Sequence, residues 1–439
     1  MLQSLKQAFG LPDLRRKLLF TLMILVIFRL AAHVPVPGLN RAALDSFFNG
    51  TGAGADAARM INLLSGGALE NFSVVAMGVY PYITASIIIQ LLTPLIPSLE
   101  ELQKEGESGR NKINLYTYWL TIPLALLQAI AQVALLNGSS AGGDQQVLDF
   151  GAQYPLNTIT VLVALTAGTM FALWLGERIT EQGIGNGVSI IIFGGIITGV
   201  PQSLLNLLGS FTGLLIVLAI TVLTVGAIVV IQEGHRRIPV QYGRRVRGTR
   251  VYGGQSTYIP LRVNSAGMIP LIFANALMIF PAMLGGLLVN IQQDNLAWLR
   301  GIGDKLAVWF APGTSTIYYL VYFILVVLFT FFYTDVVFRQ QSLHETLQRN
   351  GGFVPGIRPG KRTEDYLNTV MHRITLVGAV FLGAVAVLPF FVGQLTGQNA
   401  NTSLLINSTG LLIVVGVVLD TIKQLEAQLL MRHYEGFIK

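Results

Sequence analysis

The chain of 439 residues contains no cysteine. Disulfides, thiolate metal sites and a cysteine nucleophile are therefore excluded. Charge is scarce too: Asp, Glu, Lys and Arg make up 12% of residues, against about 25% in soluble domains. The histidines His33, His235, His344, His372 and His433 are scattered and form no HExxH pair, and no G-x-x-x-x-G-K-[ST] loop occurs. The run Gly183-Ile-Gly-Asn-Gly187 has the wrong spacing for a dinucleotide-binding turn and no βαβ pattern around it. It is read instead as a flexible lead-in to an apolar segment. No catalytic constellation is present, and neither a cofactor nor a metal is expected.

What the chain has in quantity is apolar sequence: 52% of residues are hydrophobic and mean hydropathy is +0.61. Crossing the hydrocarbon core takes about 20 apolar residues in a helix. Ten stretches qualify: 18–34, 73–93, 114–135, 156–175, 188–206, 211–231, 265–290, 316–334, 373–393 and 404–424. The first is interrupted by Arg29 and followed by Pro35 and Pro37, without a small-residue cleavage pattern. It reads as a span that stays rather than a cleaved signal. The expected fold class is an all-α polytopic membrane protein with ten transmembrane helices. An odd number of spans per half would invert the second half against the first, giving halves at 1–206 and 207–439.

Cutting the chain at these stretches places 24 of its 29 Lys and Arg residues on one side of the membrane. The opposite side receives only Arg41, Arg59, Arg300 and Lys305. By the positive-inside rule both termini are cytoplasmic, and the localisation expected is a multi-pass protein of the cytoplasmic (inner) membrane. Seven of the 24 fall in the loop 232–264 and six in the loop 335–372, where Arg373 at the margin is included. The first loop carries Arg244, Arg245, Arg247 and Arg250 with few acids nearby. The second holds Gly351-Gly-Phe-Val-Pro-Gly-Ile-Arg-Pro-Gly360, then Lys361 and Arg362. So much Gly and Pro predicts a shaped turn and not a helix. Orientation alone needs fewer arginines, so an anionic partner is expected here: RNA backbone, an acidic protein surface or anionic lipid.

The span interiors contain Arg29 and little else that ionises. Asp420, Asp335 and Glu70 lie at or beyond span ends. Ion-coupled transport and a charged selectivity filter are disfavoured, leaving a passage lined by apolar side chains that closes by excluding water. A small-solute secondary transporter with inverted repeats is the alternative. Gln90, Gln128 and Asn275 are polar residues within spans; they serve either ordinary interhelical hydrogen bonding or a weak seam between helices that part. Pro81 falls inside the second stretch, where it would break a backbone hydrogen bond and permit a bend. Residues 57–69 are apolar but too short to cross, so they lie on the outer surface or fold back into the bundle.

Several long, irregular strings resemble the SecY family, the central subunits of the bacterial protein-conducting channel. They are Pro35-Val-Pro-Gly38, Ser65-Gly-Gly-Ala-Leu69, Pro81-Tyr-Ile-Thr-Ala-Ser-Ile-Ile-Ile-Gln-Leu-Leu92 and Lys104-Glu-Gly-Glu-Ser-Gly109. Further on come Thr180-Glu-Gln-Gly-Ile-Gly-Asn-Gly-Val-Ser-Ile-Ile-Ile192, Gln255-Ser-Thr257, Ile269-Pro-Leu-Ile-Phe273 and Phe353-Val-Pro-Gly-Ile-Arg-Pro-Gly360. The resemblance covers nearly the whole chain. It implies two inverted five-helix halves and a constricting aliphatic ring at Val79, Ile83, Val188, Ile192, Ile269, Ile272 and Ile413. It implies a plug in 57–69, with Ile61, Asn62, Leu63, Leu64, Ser65, Gly66 and Gly67. It also implies a lateral gate, with Gln90, Gln128 and Asn275 in its polar seam. The implied docking residues are Arg244, Arg245, Arg247, Arg250, Arg358, Pro359, Gly360 and Arg362. The implied partners are SecE and SecG, the SecA motor ATPase, the ribosome, the preprotein and lipid. One departure is visible: many relatives have Asn-Pro after the eighth span where this chain has Arg339-Gln340, so that helix is expected to continue further.

Overall fold

The computed structural model describes residues 10–49, 62, 67–138, 147–151, 153–207, 211–242, 245–247, 250–252, 256–289, 297–310, 316–341, 343–349, 351–358, 360–396 and 408–435. Each of the ten apolar stretches contains a helix. In chain order the helices are α1 (Pro12–Ala31), α2 (Arg41–Asn49), α3 (Tyr80–Leu92), α4 (Pro97–Lys104), α5 (Glu107–Gly138), α6 (Pro155–Gln182) and α7 (Gly187–Leu207). They continue with α8 (Phe211–Glu233), α9 (Ile269–Val289), α10 (Ala297–Phe310), α11 (Thr316–Gln341), α12 (Leu343–Arg349), α13 (Lys361–Thr396) and α14 (Ser408–Glu435). Among the described residues, parts of α5, α6, α8, α11 and α13 are long and apolar enough to cross a bilayer. Taken together, α3 and α4 make a sixth candidate, bent by 99°. The chain is thus a multi-pass, predominantly α-helical membrane protein.

Helix ends depart from the apolar windows for a physical reason. Hydropathy marks the part of a helix that lipid surrounds, while backbone hydrogen bonding carries on into charged turns. Hence α5 begins at Glu107, α13 at Lys361, and α11 runs on to Gln341 through Arg339-Gln340. The second stretch departs the other way: its helix starts only at Tyr80, and 67–79 form tight turns. Pro81 therefore sits in the first turn of α3, where a proline forfeits no helical hydrogen bond. The broken helical hydrogen bond expected of it does not arise.

The chain forms two compact units interleaved along the sequence. One comprises Met1–Leu218, Ala276–Tyr319 and Pro389–Lys439; the other comprises Ala219–Asn275 and Leu320–Leu388. In the first unit α3 packs on α5, α5 on α6, α6 on α7 and α7 on α14. An apolar cluster that includes Val36, Leu44, Phe47, Leu69, Phe72, Val133, Leu136 and Leu148 joins the connections around α2 to α5 and α6. Bridges Pro35↔Ser73 and Leu39↔Leu148 fix this packing.

The second unit contains structure that hydropathy does not signal. The loop after α8 is a β-ribbon of β1 (His235–Tyr242) and β4 (Ser256–Arg262), extended by β5 (Gly352–Phe353) in the order β4-β1-β5. Its tip is a separate hairpin of β2 (Arg245–Arg247) and β3 (Arg250–Tyr252). Alternation explains the ribbon: Ile238 and Val240 are buried while Arg237, Pro239 and Gln241 are exposed.

Candidate functional site

The structure joins the two basic loops into one module. Strand β5, from the second loop, pairs with the end of β1, from the first, through Gln241↔Phe353 and Tyr242↔Gly352. Beneath them Ile238, Val240, Leu261, Phe338, Leu347, Val354, Leu367 and Met371 form a buried apolar cluster. Gly352 is closely packed at the junction. A Cβ there would lie 3.0 Å from the Tyr242 ring, 3.3 Å from Leu347 and 3.3 Å from Val240.

The Gly- and Pro-rich stretch is a shaped turn, as its composition predicts. The amide of Ile357 donates to the carbonyl of Val354 at 3.1 Å, and Gly356 has φ +83°. That is a turn with Pro355 at its second position and glycine where a positive φ is needed. Val354 and Ile357 anchor the turn in the module core, while Arg358 is exposed. The Thr363 hydroxyl donates to the Arg358 carbonyl at 2.9 Å, which fixes the backbone of Arg358 against the start of α13. Lys361 and Arg362 come next, both exposed. Gly360 has φ +107°. Pro359 and Arg244 lie outside the described residues. Arg245 sits opposite Tyr252, and Arg247 directly opposite Arg250, on the β2–β3 ladder. A contributor that charge counting did not single out is Arg237, whose guanidinium lies 4.8 Å from the centre of the Tyr258 ring. The two are diagonal neighbours across β1 and β4.

The candidate ring residues Val79, Ile83, Val188, Ile192 and Ile413 belong to the first unit, and Ile269 and Ile272 to the second. Val79, Ile192 and Ile413 are buried; Ile83, Val188, Ile269 and Ile272 are half-buried. Val79 immediately precedes α3, and its carbonyl accepts from the Ile83 amide at 3.1 Å, so the pair is one helical turn apart. Val188 and Ile192 are set by the glycine run before them. A Cβ at Gly187 would stand 1.8 Å from the carbonyl oxygen of Gly176, and one at Gly176 would stand 3.3 Å from Val188. Helices α6 and α7 therefore touch backbone to backbone. The lead-in is not slack: Asn186 accepts from the Ser189 amide at 3.2 Å and caps α7. The Thr180 hydroxyl accepts from the Gly187 amide at 2.9 Å.

The three polar span residues behave differently. Gln128 on α5 donates to the Thr84 hydroxyl on α3 at 3.3 Å, an interhelical bond. Gln90 donates to Ser86 on its own helix at 3.0 Å. Asn275 is 2% exposed, and its side-chain oxygen has no hydrogen-bond partner. Gln132, a turn beyond Gln128, is also buried with both amide atoms unpartnered. Nothing in its sequence context set it apart from the other polar residues of the chain.

Of the segment 57–69, only Asn62 and residues 67–69 are described; Ile61, Leu63, Leu64, Ser65 and Gly66 lie outside the described residues. Asn62 holds the backbone at 67–70 in place. Its side-chain oxygen accepts from the amides of Leu69 at 3.1 Å and Glu70 at 3.0 Å. Its carbonyl accepts from the Gly67 amide at 2.8 Å. Ala68 and Leu69 are fully buried. Gly67 has φ +77°, and a Cβ there would lie 3.5 Å from the Arg29 guanidinium. Arg29, which interrupts the first expected span, thus packs beside the end of this segment.

A carboxylate missed by the apolar windows is Glu177. The fourth window stops short of it, but α6 continues to Gln182. Its charge acts on the Tyr118 hydroxyl, and Tyr118 stacks on Tyr82 with ring centres 5.6 Å apart. This ties α3, α5 and α6 together near the pore-ring candidate Ile83.

A family model described as SecY matches residues 73–422. The protein translocase subunit SecY of Mycobacterium tuberculosis is 43% identical over 448 residues, covering 100% of both chains. That of Streptomyces galbus is 42% identical over 450 residues, again covering 100% of both. Among solved structures, one described as a protein conducting channel superposes with TM-score 0.62 at 18% identity, covering 94% of this chain and 91% of the other. Sec61 in the canine ribosome-channel complex from the endoplasmic reticulum superposes with TM-score 0.60 at 17% identity, with the same coverage. The chain therefore belongs to the SecY family, the pore-forming subunits of protein translocation channels.

Proposed function

We propose that this chain passes unfolded preproteins across the cytoplasmic membrane and releases signal sequences and membrane helices sideways into lipid. The full-length identity to translocase subunits carries this reading. As a member of a channel family the chain is not an enzyme. Ten spans in two inverted halves, 1–206 and 207–439, with both termini cytoplasmic, fit the helix found in each of the ten apolar stretches and the distribution of Lys and Arg. In this reading the aliphatic ring offers a translocating chain no strong hydrogen bond to linger on, and it closes by excluding water. The segment 57–69 plugs the closed passage; the burial of its end at Ala68 and Leu69 supports a folded-back course.

Asn275 and Gln128 belong to the seam at which the channel opens laterally. An unpartnered buried amide oxygen costs about 1–3 kcal/mol, so Asn275 lowers the cost of separating its helix from a neighbour. The basic module docks the driver of transport, the ribosome or the SecA motor, while SecE and SecG accompany the chain in the membrane. Arg247 opposite Arg250 supports the docking role, because like charges facing each other across a ladder repel and an anionic partner relieves the repulsion.

The test is reconstitution in proteoliposomes with the motor ATPase, ATP and a preprotein carrying a photocrosslinker. Crosslinks to Ile83, Ile192 and Ile272 are expected during translocation. Transport without contact at these positions would remove the ring assignment.

A further inference from the structure

Helix α10 lies between α9 and α11 in the chain, and channel function as proposed leaves it without a role. Its sequence, Ala-Trp-Leu-Arg-Gly-Ile-Gly-Asp-Lys-Leu-Ala-Val-Trp-Phe, is two-faced. Trp298, Ile302, Lys305 and Trp309 recur at spacings that place them on one stripe of the helix. All four are exposed, with Trp298 at 64%, Ile302 at 43% and Trp309 at 50%. Gly303, Leu306 and Phe310, on the adjoining side, are buried or half-buried. The helix therefore already has a protein-facing side, and the aromatic stripe is a second, uncovered one.

The covalent path keeps this stripe near the bilayer. From Phe310 to Thr316 there are only six Cα steps, which span at most roughly 22 Å. Thr316 begins α11, one of the helices able to cross. Just inside it Ile317 and Leu320 are strongly exposed apolar residues, as a lipid-facing surface requires. Tryptophan concentrates at membrane–water interfaces because one end of its ring system is apolar and the other can hydrogen-bond. A lysine between two such rings can reach lipid phosphate while its stem stays in the apolar layer.

We propose that α10 lies flat in the bilayer interface, with Trp298, Ile302 and Trp309 inserted to the headgroup–acyl boundary and Lys305 on lipid phosphate. It anchors the ends of α9 and α11 at a fixed depth, roughly 5–10 Å into the boundary for such helices. The inference rests on reading α9 and α11 as successive spans, but its test does not depend on transport.

Trp119 and Trp174 are the other tryptophans. With both replaced by Phe, the full chain is reconstituted in phosphatidylcholine–phosphatidylglycerol vesicles. The expected result is a blue-shifted emission, quenched most by phospholipids brominated near the carbonyl end of the acyl chain. Lipids brominated near the methyl end and aqueous iodide should quench weakly. Dominant iodide quenching would put the stripe in water. Dominant methyl-end quenching would put it deep in the core. Protection from all three would mean that a second copy or another protein covers it. Each of these overturns the proposal. Should the Phe replacements compromise folding, Ile302→Cys in this cysteine-free chain takes a nitroxide instead. Collision with oxygen should then exceed that of an exposed loop site, and collision with a nickel chelate should fall below it. Equal chelate access at both sites would also overturn the proposal.

Discussion

A single methyl group at Gly187 tests how the candidate ring is positioned. In Gly187→Ala the new Cβ would stand 1.8 Å from the Gly176 carbonyl oxygen, 2.6 Å from its carbon and 2.9 Å from Ile179 Cβ. Ordinary contact needs about 3.5 Å, so α7 must move from α6 by roughly 1.5–2 Å at this point. Neither obstacle at Gly176 is a side chain that can rotate away. Overpacking of this kind costs about 1–3 kcal/mol and sometimes more. Gly199 supplies the control on the same helix, since a Cβ there meets nothing within 4 Å. Gly199→Ala should be neutral or stabilising by up to about 1 kcal/mol, the helical preference for alanine over glycine. The assay is the loss of monodisperse protein in detergent after graded heating, with ion conductance of reconstituted vesicles alongside. Gly187→Ala should lose its folded form at distinctly lower temperature. Because Val188 is the next residue and Ile192 one turn further, it should also raise ion leak. Equal stability of the two variants would refute the backbone contact between α6 and α7. A destabilised variant without added leak would separate that contact from the ring.

Arg358→Glu should abolish coupled transport while leaving thermal stability unchanged, because the side chain is exposed and only its backbone carbonyl is held; normal translocation would exclude it from docking. Ile238→Ala, at a site 2% exposed, should destabilise the β-module by about 2–5 kcal/mol and weaken ribosome or motor binding in a sedimentation assay. Retained binding would mean that the module core does not hold the docking loops. Asn62→Ala removes the acceptor for two backbone amides, a loss of about 1–3 kcal/mol. Faster protease cleavage within 57–69 and greater ion leak are expected, and unchanged cleavage would count against the anchoring role of Asn62.

Sequence alone was enough for much of this protein. Lipid solvates nothing polar, so a membrane chain must write its spans as apolar runs, and each of the ten runs does contain a helix. The turn at Val354–Ile357 was legible for a similar reason: proline and glycine dictate their own dihedral angles. Other features depended on neighbours distant in the chain. Nothing in hydropathy distinguishes 68–79, which folds as buried turns, from a helix. Nothing marks the loop after α8 as a β-ribbon completed by a two-residue strand over a hundred residues later. The glycines of the 183–187 run looked like slack until Gly187 was seen against Gly176. Arg29 looked like an anomaly until Gly67 lay beside it, and Glu177 fell outside its window until Tyr118 was found as its partner. Composition and local periodicity answer to solvent and to the backbone, which the sequence carries everywhere. Close approach between segments depends on where the rest of the chain runs, and that only the tertiary fold decides.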